Sequence, residues 1–165
     1  MKNLGCAFTG HRHIVNTHRS QIGDLISRAV AFAYREGCRR FYSGGAVGFD
    51  TLAAREVLRF RISHPDVRLC LILPCTNQDE RWSERDKESY AYILREADEV
   101  SYISETYTHD CMKKRNYALA AEADIMIAYV GESVSGSAQT VRMAEKMNKR
   151  VYNIYPTLVR KEESK

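Results

Sequence analysis

The sequence predicts an α/β protein with a three-layer, Rossmann-like fold and a mainly parallel sheet. Two observations carry this. Short apolar runs alternate with helical patterns along the chain, which calls for right-handed crossovers between parallel strands. The run Leu69-Cys70-Leu71-Ile72-Leu73 is apolar without interruption, as a central parallel strand buried on both faces requires.

The elements follow in order. Leu4 to Thr9 reads as a buried strand ending at Gly10, and Ser20 to Glu36 as a helix with Ile22, Leu25, Ile26, Ala29, Val30 and Ala33 at helical spacing, stopped by Gly37. Arg40 to Ser43 is a short strand. Phe49 to Ile62 is a helix with Leu52, Ala53, Val57 and Leu58 inward, ended by Pro65. Val67 to Leu73 is the third strand, with Pro74 at its corner, and Ser83 to Ala97 a polar-rich helix with Tyr90, Ile93 and Leu94 on one side. Glu99 to Ile103 is a short strand, Asp110 to Ala123 a helix, Ile125 to Val130 an apolar strand, Ala138 to Asn148 a helix and Val151 to Ile154 a last strand. The reading is one domain over 1–158 and a charged tail over 159–165, with no repeat, linker or low-complexity tract.

Composition narrows the function classes. The 25 Lys and Arg against 21 Asp and Glu give a net charge of +4, and the basic residues are scattered. That is mild for a nucleic-acid binder and suits a small anionic ligand. The five cysteines lie far apart with no Cys-x-x-Cys pair, so neither a disulfide framework nor a metal site is expected. No run approaches membrane-spanning length and no signal segment opens the chain, so a reduced, cytoplasmic protein without membrane partners is expected.

The stretch Tyr42 to Ala54 passes from an apolar run through Gly44, Gly45 and Gly48 into a helix. Such a loop can cradle a phosphate, because missing Cβ atoms admit a ligand to the backbone and the helix start offers free N–H groups. It can equally be a tight strand-to-helix connection that needs positive φ. The other unusual stretches also follow strands: Gly10-His11-Arg12, Pro74-Cys75-Thr76, and Gly131 to Thr140 with Ser135-Gly136-Ser137. Their gathering at the carboxyl ends of the strands favours a ligand site. Arg12 suits a phosphate as a forked donor and His11 suits stacking or hydrogen bonding, unless both simply form a surface loop. Asp50 suits a ribose hydroxyl or a base role, or else accepts N–H groups of its own helix turn. Arg115 and Asn116 project toward the pocket or pair with Glu122 or Asp110. Trp82 covers the pocket or packs a helix start, and Tyr102, Tyr107, Tyr129, Tyr152 and Tyr155 are assigned to packing.

These residues also carry a resemblance. Phe8-Thr9-Gly10-His11-Arg12, Ser43-Gly44-Gly45-Ala46-Val47-Gly48-Phe49-Asp50, Leu73-Pro74, Trp82 with Tyr90, Arg115-Asn116, and Ser135-Gly136-Ser137 with Thr140 stand in the order of the SLOG superfamily. That group includes DNA-processing protein A and the LOG phosphoribohydrolases, and the chain resembles its YpsA-like branch from about Leu4 to Ile154. The resemblance implies a pocket for a nucleotide-derived ligand such as ADP-ribose or a nicotinamide dinucleotide. It would use Gly10, His11, Arg12, Ser43, Gly44, Gly45, Gly48, Asp50, Pro74, Arg115, Asn116, Gly136, Ser137 and Thr140. No cofactor is called for beyond a bound nucleotide, and a homo-oligomer is left open.

The sequence departs from the LOG hydrolases at one point. They resemble it at Arg115, but Thr140 stands where their catalytic Glu would fall, and losing a positioned acid or base group costs about 10²–10⁴-fold in rate. Asp50 is the substitute carboxylate, so Asp50 and Arg115 are the catalytic candidates if any reaction is catalysed. Three readings stand: a ligand-binding sensor or regulatory protein first, a nucleoside 5′-monophosphate hydrolase of altered chemistry second, and a single-stranded DNA module last. Nothing in the chain resembles a winged helix or an aromatic-interleaved basic stripe.

Overall fold

The computed structural model describes residues 3–164. Residues 1, 2 and 165, which the sequence reading assigns to the domain and its tail, lie outside the described residues. The strands are β1 (Leu4–Gly10), β2 (Cys38–Ser43), β3 (Arg68–Leu73), β4 (Glu99–Tyr102), β5 (Ile125–Tyr129) and β6 (Arg150–Asn153). The helices are α1 (Arg19–Arg35), α2 (Phe49–Ser63), α3 (Glu84–Glu96), α4 (Cys111–Glu122), α5 (Gly136–Lys146) and α6 (Tyr155–Glu163). All five strand pairings are parallel, in the order β4-β3-β2-β1-β5-β6. The chain therefore builds outward from β1 to β4, then crosses back to lay β5 on the other side of β1. The strand order reverses between β1 and β5, where Thr9 pairs with Ala128 and Gly10 with Tyr129.

Alternation along the central strands divides two cores. Cys6 and Phe8, Phe41, Leu69, Leu71 and Leu73, and Ile125, Ile127 and Tyr129 face one side, where α1, α2, α3 and α6 close over them. Ala7, Tyr42, Cys70 and Ile72, and Met126 face the other, against Leu119 and Ala120 of α4 and Ala144 of α5. Burying a large apolar side chain is worth ~1.5–3 kcal/mol, so fully buried Phe8, Phe41, Phe49 and Leu71 anchor the first core. The three-layer parallel fold is the one the apolar pattern predicts. Among the described residues, no helix is long and apolar enough to cross a membrane.

Two features differ from the sequence reading. Tyr155–Glu163 is helical, where a charged tail was expected from 159 onward. Its charges hide one buried anchor, Leu158, and Pro156 sits at the helix start, where its missing N–H costs nothing. Buried His18 holds this helix to the body: its Nε2 lies 3.1 Å from Glu162 Oε2 and its Nδ1 2.7 Å from the Tyr129 hydroxyl. The tyrosines also divide. Tyr129 is fully buried and Tyr155 packs on the core, but Tyr102, Tyr107 and Tyr152 are exposed, the first and last because β4 and β6 are edge strands. Trp82 packs edge-on against Tyr90 with ring centroids 5.1 Å apart.

Candidate functional site

A cavity of about 360 Å³ opens at the reversal of strand order, beyond the carboxyl ends of β1 and β5. That is where open parallel sheets hold ligands. Its walls are Thr9, Gly10, His11 and Arg12 after β1, Ala46 and Asp50 at the start of α2, Met112, Arg115 and Asn116 of α4, and Ser135, Gly136 and Ser137 at the start of α5. Eight of the residues singled out from sequence thus line one cavity: Gly10, His11, Arg12, Asp50, Arg115, Asn116, Gly136 and Ser137.

Asp50 is the centre of this arrangement. It is 5% exposed, and its Oδ1 has no hydrogen-bond partner among the described residues. Burial pushes its carboxyl up from 3.8 to about 6, against the pull of Arg115, the Ala46 N–H and Arg12. Its expected alternative role, satisfying N–H groups of its own helix turn, leaves that oxygen idle. Arg115 is buried beside it and pairs with neither Glu122 nor Asp110; Asp110 holds Lys114 instead. The Arg115 Nη1 donates to the Gly44 carbonyl at 2.8 Å and its Nε to Asn116 Oδ1 at 2.8 Å. Burial lowers the Arg115 pKa, Asp50 opposes that, and the Arg12 charge adds to the lowering. Two guanidiniums facing one carboxylate leave the cavity positive, an excess that an anion would relieve.

The α5 wall is made for hydrogen bonding. Ser135 caps the helix by accepting the Ala138 N–H at 3.0 Å, and helix geometry leaves the Gly136 and Ser137 N–H groups without intrahelical acceptors. His11 Nε2 accepts the Gly131 N–H at 2.8 Å, which puts the proton on Nδ1, 3.3 Å from Ser137 Oγ. Burial lowers the His11 pKa, with Glu132 opposing, so the ring is neutral near pH 7.

The remaining sequence candidates serve the frame. Ser43 Oγ donates to the Asp50 carbonyl at 2.9 Å and accepts the Gly45 N–H, fixing the loop. Pro74 is buried at the end of β3, where its carbonyl accepts the Ser104 N–H. Thr140 is fully buried and bonds the Gly136 carbonyl within its own helix, so no carboxylate equivalent reaches the cavity there. The glycines of the loop make room for the chain itself. Gly45 and Gly48 have φ of 68° and 89°, and a Cβ on Gly48 would lie 2.1 Å from the Arg12 carbonyl oxygen. At Gly44 it would meet Arg115 Nη1 at 2.7 Å, and at Gly10 the Phe49 ring at 2.4 Å. Only Gly136, of the glycines proposed for the site, would take a Cβ without a clash, its nearest neighbour being Asn116 Nδ2 at an ordinary contact distance of 3.7 Å. The connection reading of the loop, with positive φ, accounts for Gly45 and Gly48. Sequence reasoning did not assign Thr9, Ala46, Met112 and Ser135 to the site. Met112 could have been found one turn before Arg115 and Asn116, and Ser135 as the α5 cap.

Fold and cavity together define a Rossmann-like protein with a cationic pocket at the strand-order switch. More particularly, the chain belongs to the YspA SLOG family, whose family model (YpsA) matches residues 7–161. It is similar to UPF0398 proteins of Bacillus cereus strain AH187, at 25% identity, and strain B4264, at 26%, over 136 residues that cover 81% of this chain and 74% of those proteins. Among solved structures it resembles DNA processing protein A from Helicobacter pylori, studied for its single-stranded DNA binding mode, at 21% identity with a TM-score of 0.63. It also resembles DNA processing protein A from Streptococcus pneumoniae, at 18% identity with a TM-score of 0.65. The alignments cover 90% and 92% of this chain but only 63% and 50% of those structures.

Proposed function

We propose that the chain binds a nucleotide-derived small molecule in the cavity at the β1–β5 switch and acts as a sensor or regulatory protein. One observation carries this reading: Asp50, which lines the cavity beside Arg12 and Arg115, keeps a buried Oδ1 without a hydrogen-bond partner among the described residues. A buried polar atom left without a partner costs ~1–3 kcal/mol, and a ribose hydroxyl would supply the missing hydrogen bond. The Gly136 and Ser137 N–H groups with Arg12 then suit a phosphate, since helix N-termini and guanidiniums favour the same charge. Membership of the SLOG family supports the same class of ligand. Calorimetry with ribonucleoside 5′-monophosphates and their 2′,3′-dideoxy forms tests the pose. Tighter binding of the ribonucleotides is expected, and equal affinity for both forms refutes the Asp50 contact.

A second reading, an N-glycosidic hydrolase acting on nucleotides, is favoured by one feature. A carboxyl titrating at about 6 is suited to proton transfer near neutral pH, and Asp50 is the only carboxylate lining the cavity among the described residues. A base-release assay on nucleoside monophosphates separates the two. Turnover that disappears in Asp50→Asn while affinity is kept supports hydrolysis, and no release by the unaltered protein supports binding alone.

A further inference from the structure

Beside the cavity lies a second and larger one, of about 610 Å³, and Arg12 lines both. Its walls come from the segment after β1, the start of α1, the end of the β2–α2 loop, and the first two turns of α2 and α3 with the cap before α3. Five basic side chains line it, Arg12, His13, Arg19, Arg55 and Arg85, against the single acid Asp86. Arg12, His13 and Arg85 have no hydrogen bond or ion pair among the described residues, and Arg55 meets only the Tyr92 ring at 5.1 Å. Arg19 is held by Asn16 through its Nε. Elsewhere Arg28, Arg39, Arg40, Arg61 and Arg150 each pair with a carboxylate, and the arginines that do not, such as Arg35 and Arg81, stand outside both cavities. Unpaired cations gathered in a concave site repel one another, and a multivalent anion lowers that energy.

We infer that this basin takes the second phosphate of a ligand whose ribose and first phosphate occupy the neighbouring cavity. The ligand class is then nucleotides with two or more linked phosphates, whether the chain ends there or bridges to a second nucleoside. The inference rests on the proposed nucleotide reading of the first cavity and extends it. Arg12 is the shared wall, so a phosphate at its guanidinium leads the next phosphate outward toward Arg55 and Arg85. Among the described residues, no Phe, Tyr or Trp lines either cavity. A single strand would need such faces for its bases, whereas a phosphate chain needs only the charges.

The test uses calorimetry at fixed ionic strength with adenosine 5′-monophosphate, adenosine 5′-diphosphate, a diphosphate-bridged dinucleotide and a short oligodeoxynucleotide. The comparison protein is the double variant Arg55→Gln/Arg85→Gln, altered outside the first cavity. The unaltered protein should bind the diphosphate about 10-fold or more tighter than the monophosphate, as added charge-assisted contacts provide. The double variant should lose that preference and keep its monophosphate affinity within about twofold. A dinucleotide that matches the diphosphate supports a bridged ligand, and one bound about 10-fold more weakly supports a terminal phosphate chain. Equal affinity for mono- and diphosphate, or a preference surviving in the double variant, overturns the inference and leaves the first-cavity reading intact. Absence of binding by every nucleotide overturns both. Steeply salt-dependent binding of the oligodeoxynucleotide, lost in the double variant, overturns the inference in favour of a strand-binding basin.

Discussion

Replacing Asp50 by Asn should stabilise the protein above neutral pH, and the size of the effect follows from burial. The carboxyl titrates ordinarily at 3.8 and in the fold at about 6, so the folded state holds its proton more tightly than the unfolded chain does. Each tenfold change in an ionisation equilibrium is worth ~1.4 kcal/mol, so keeping the carboxylate ionised in the fold costs ~3 kcal/mol at pH 8. The sign follows from proton binding. Asp50 adds no penalty below about pH 4, where it is protonated in both states; stability falls as pH rises through about 6 and is fully reduced above it. Asn keeps the shape and one acceptor oxygen but carries no charge to bury. Urea denaturation followed by circular dichroism from pH 4 to pH 8 should show the variant ahead by ~2–3 kcal/mol at pH 8, with the gap closing by pH 4. In thermal scans the upper value corresponds to a Tm higher by roughly 6–12 °C. A gap that does not change with pH, or an unaltered protein more stable than the variant at pH 8, refutes the reasoning.

Three further outcomes are expected. Gly48→Ala should lose ~2 kcal/mol or more in urea denaturation, because it adds a Cβ 2.1 Å from the Arg12 carbonyl at a φ of 89°; a loss below ~0.5 kcal/mol would show that the segment after β1 yields freely. Gly136→Ala should leave the denaturation midpoint unchanged, since its Cβ meets only Asn116 Nδ2 at an ordinary contact distance, while weakening nucleotide binding measured by calorimetry; unchanged affinity would move the phosphate away from α5. Arg12→Ala should reduce nucleotide affinity by about 30- to 150-fold, the value of a ~2–3 kcal/mol charge-assisted contact, and by more than Asp50→Asn does; unaltered affinity would sink the phosphate pose.

Much of the fold was legible because parallel strands buried on both faces leave unbroken apolar runs. Leu69 to Leu73 and Ile125 to Tyr129 could hardly be anything else. Helix α6 was hidden because its stability comes from elsewhere: Leu158 is its only fully buried side chain, and its carboxylate partner is His18, 144 positions earlier. The cavity was legible as a set of strand-end segments, since the topology brings those ends together whatever their side chains are. The purpose of each glycine was not. A missing Cβ reads the same in sequence whether a ligand or the chain's own Phe49 ring or Arg12 carbonyl fills the space. Thr9 and Ala46 gave no signal because a small residue joins a cavity wall only through what stands around it.

The seating of α6 has a consequence for how such a pocket diversifies among relatives. Tyr155 lies against Gly131, where a Cβ would come within 2.2 Å of its ring, and stands 6.1 Å from the His11 ring, between centroids. The back of His11 therefore rests on a helix fastened by side chains, whereas the front of the pocket is drawn from strand ends locked in the sheet. Substitutions on α6 can reposition the histidine without changing the identity of any residue that lines the cavity. Homologues with identical linings can thus drift apart in the shape of the cavity through α6, which lines neither cavity.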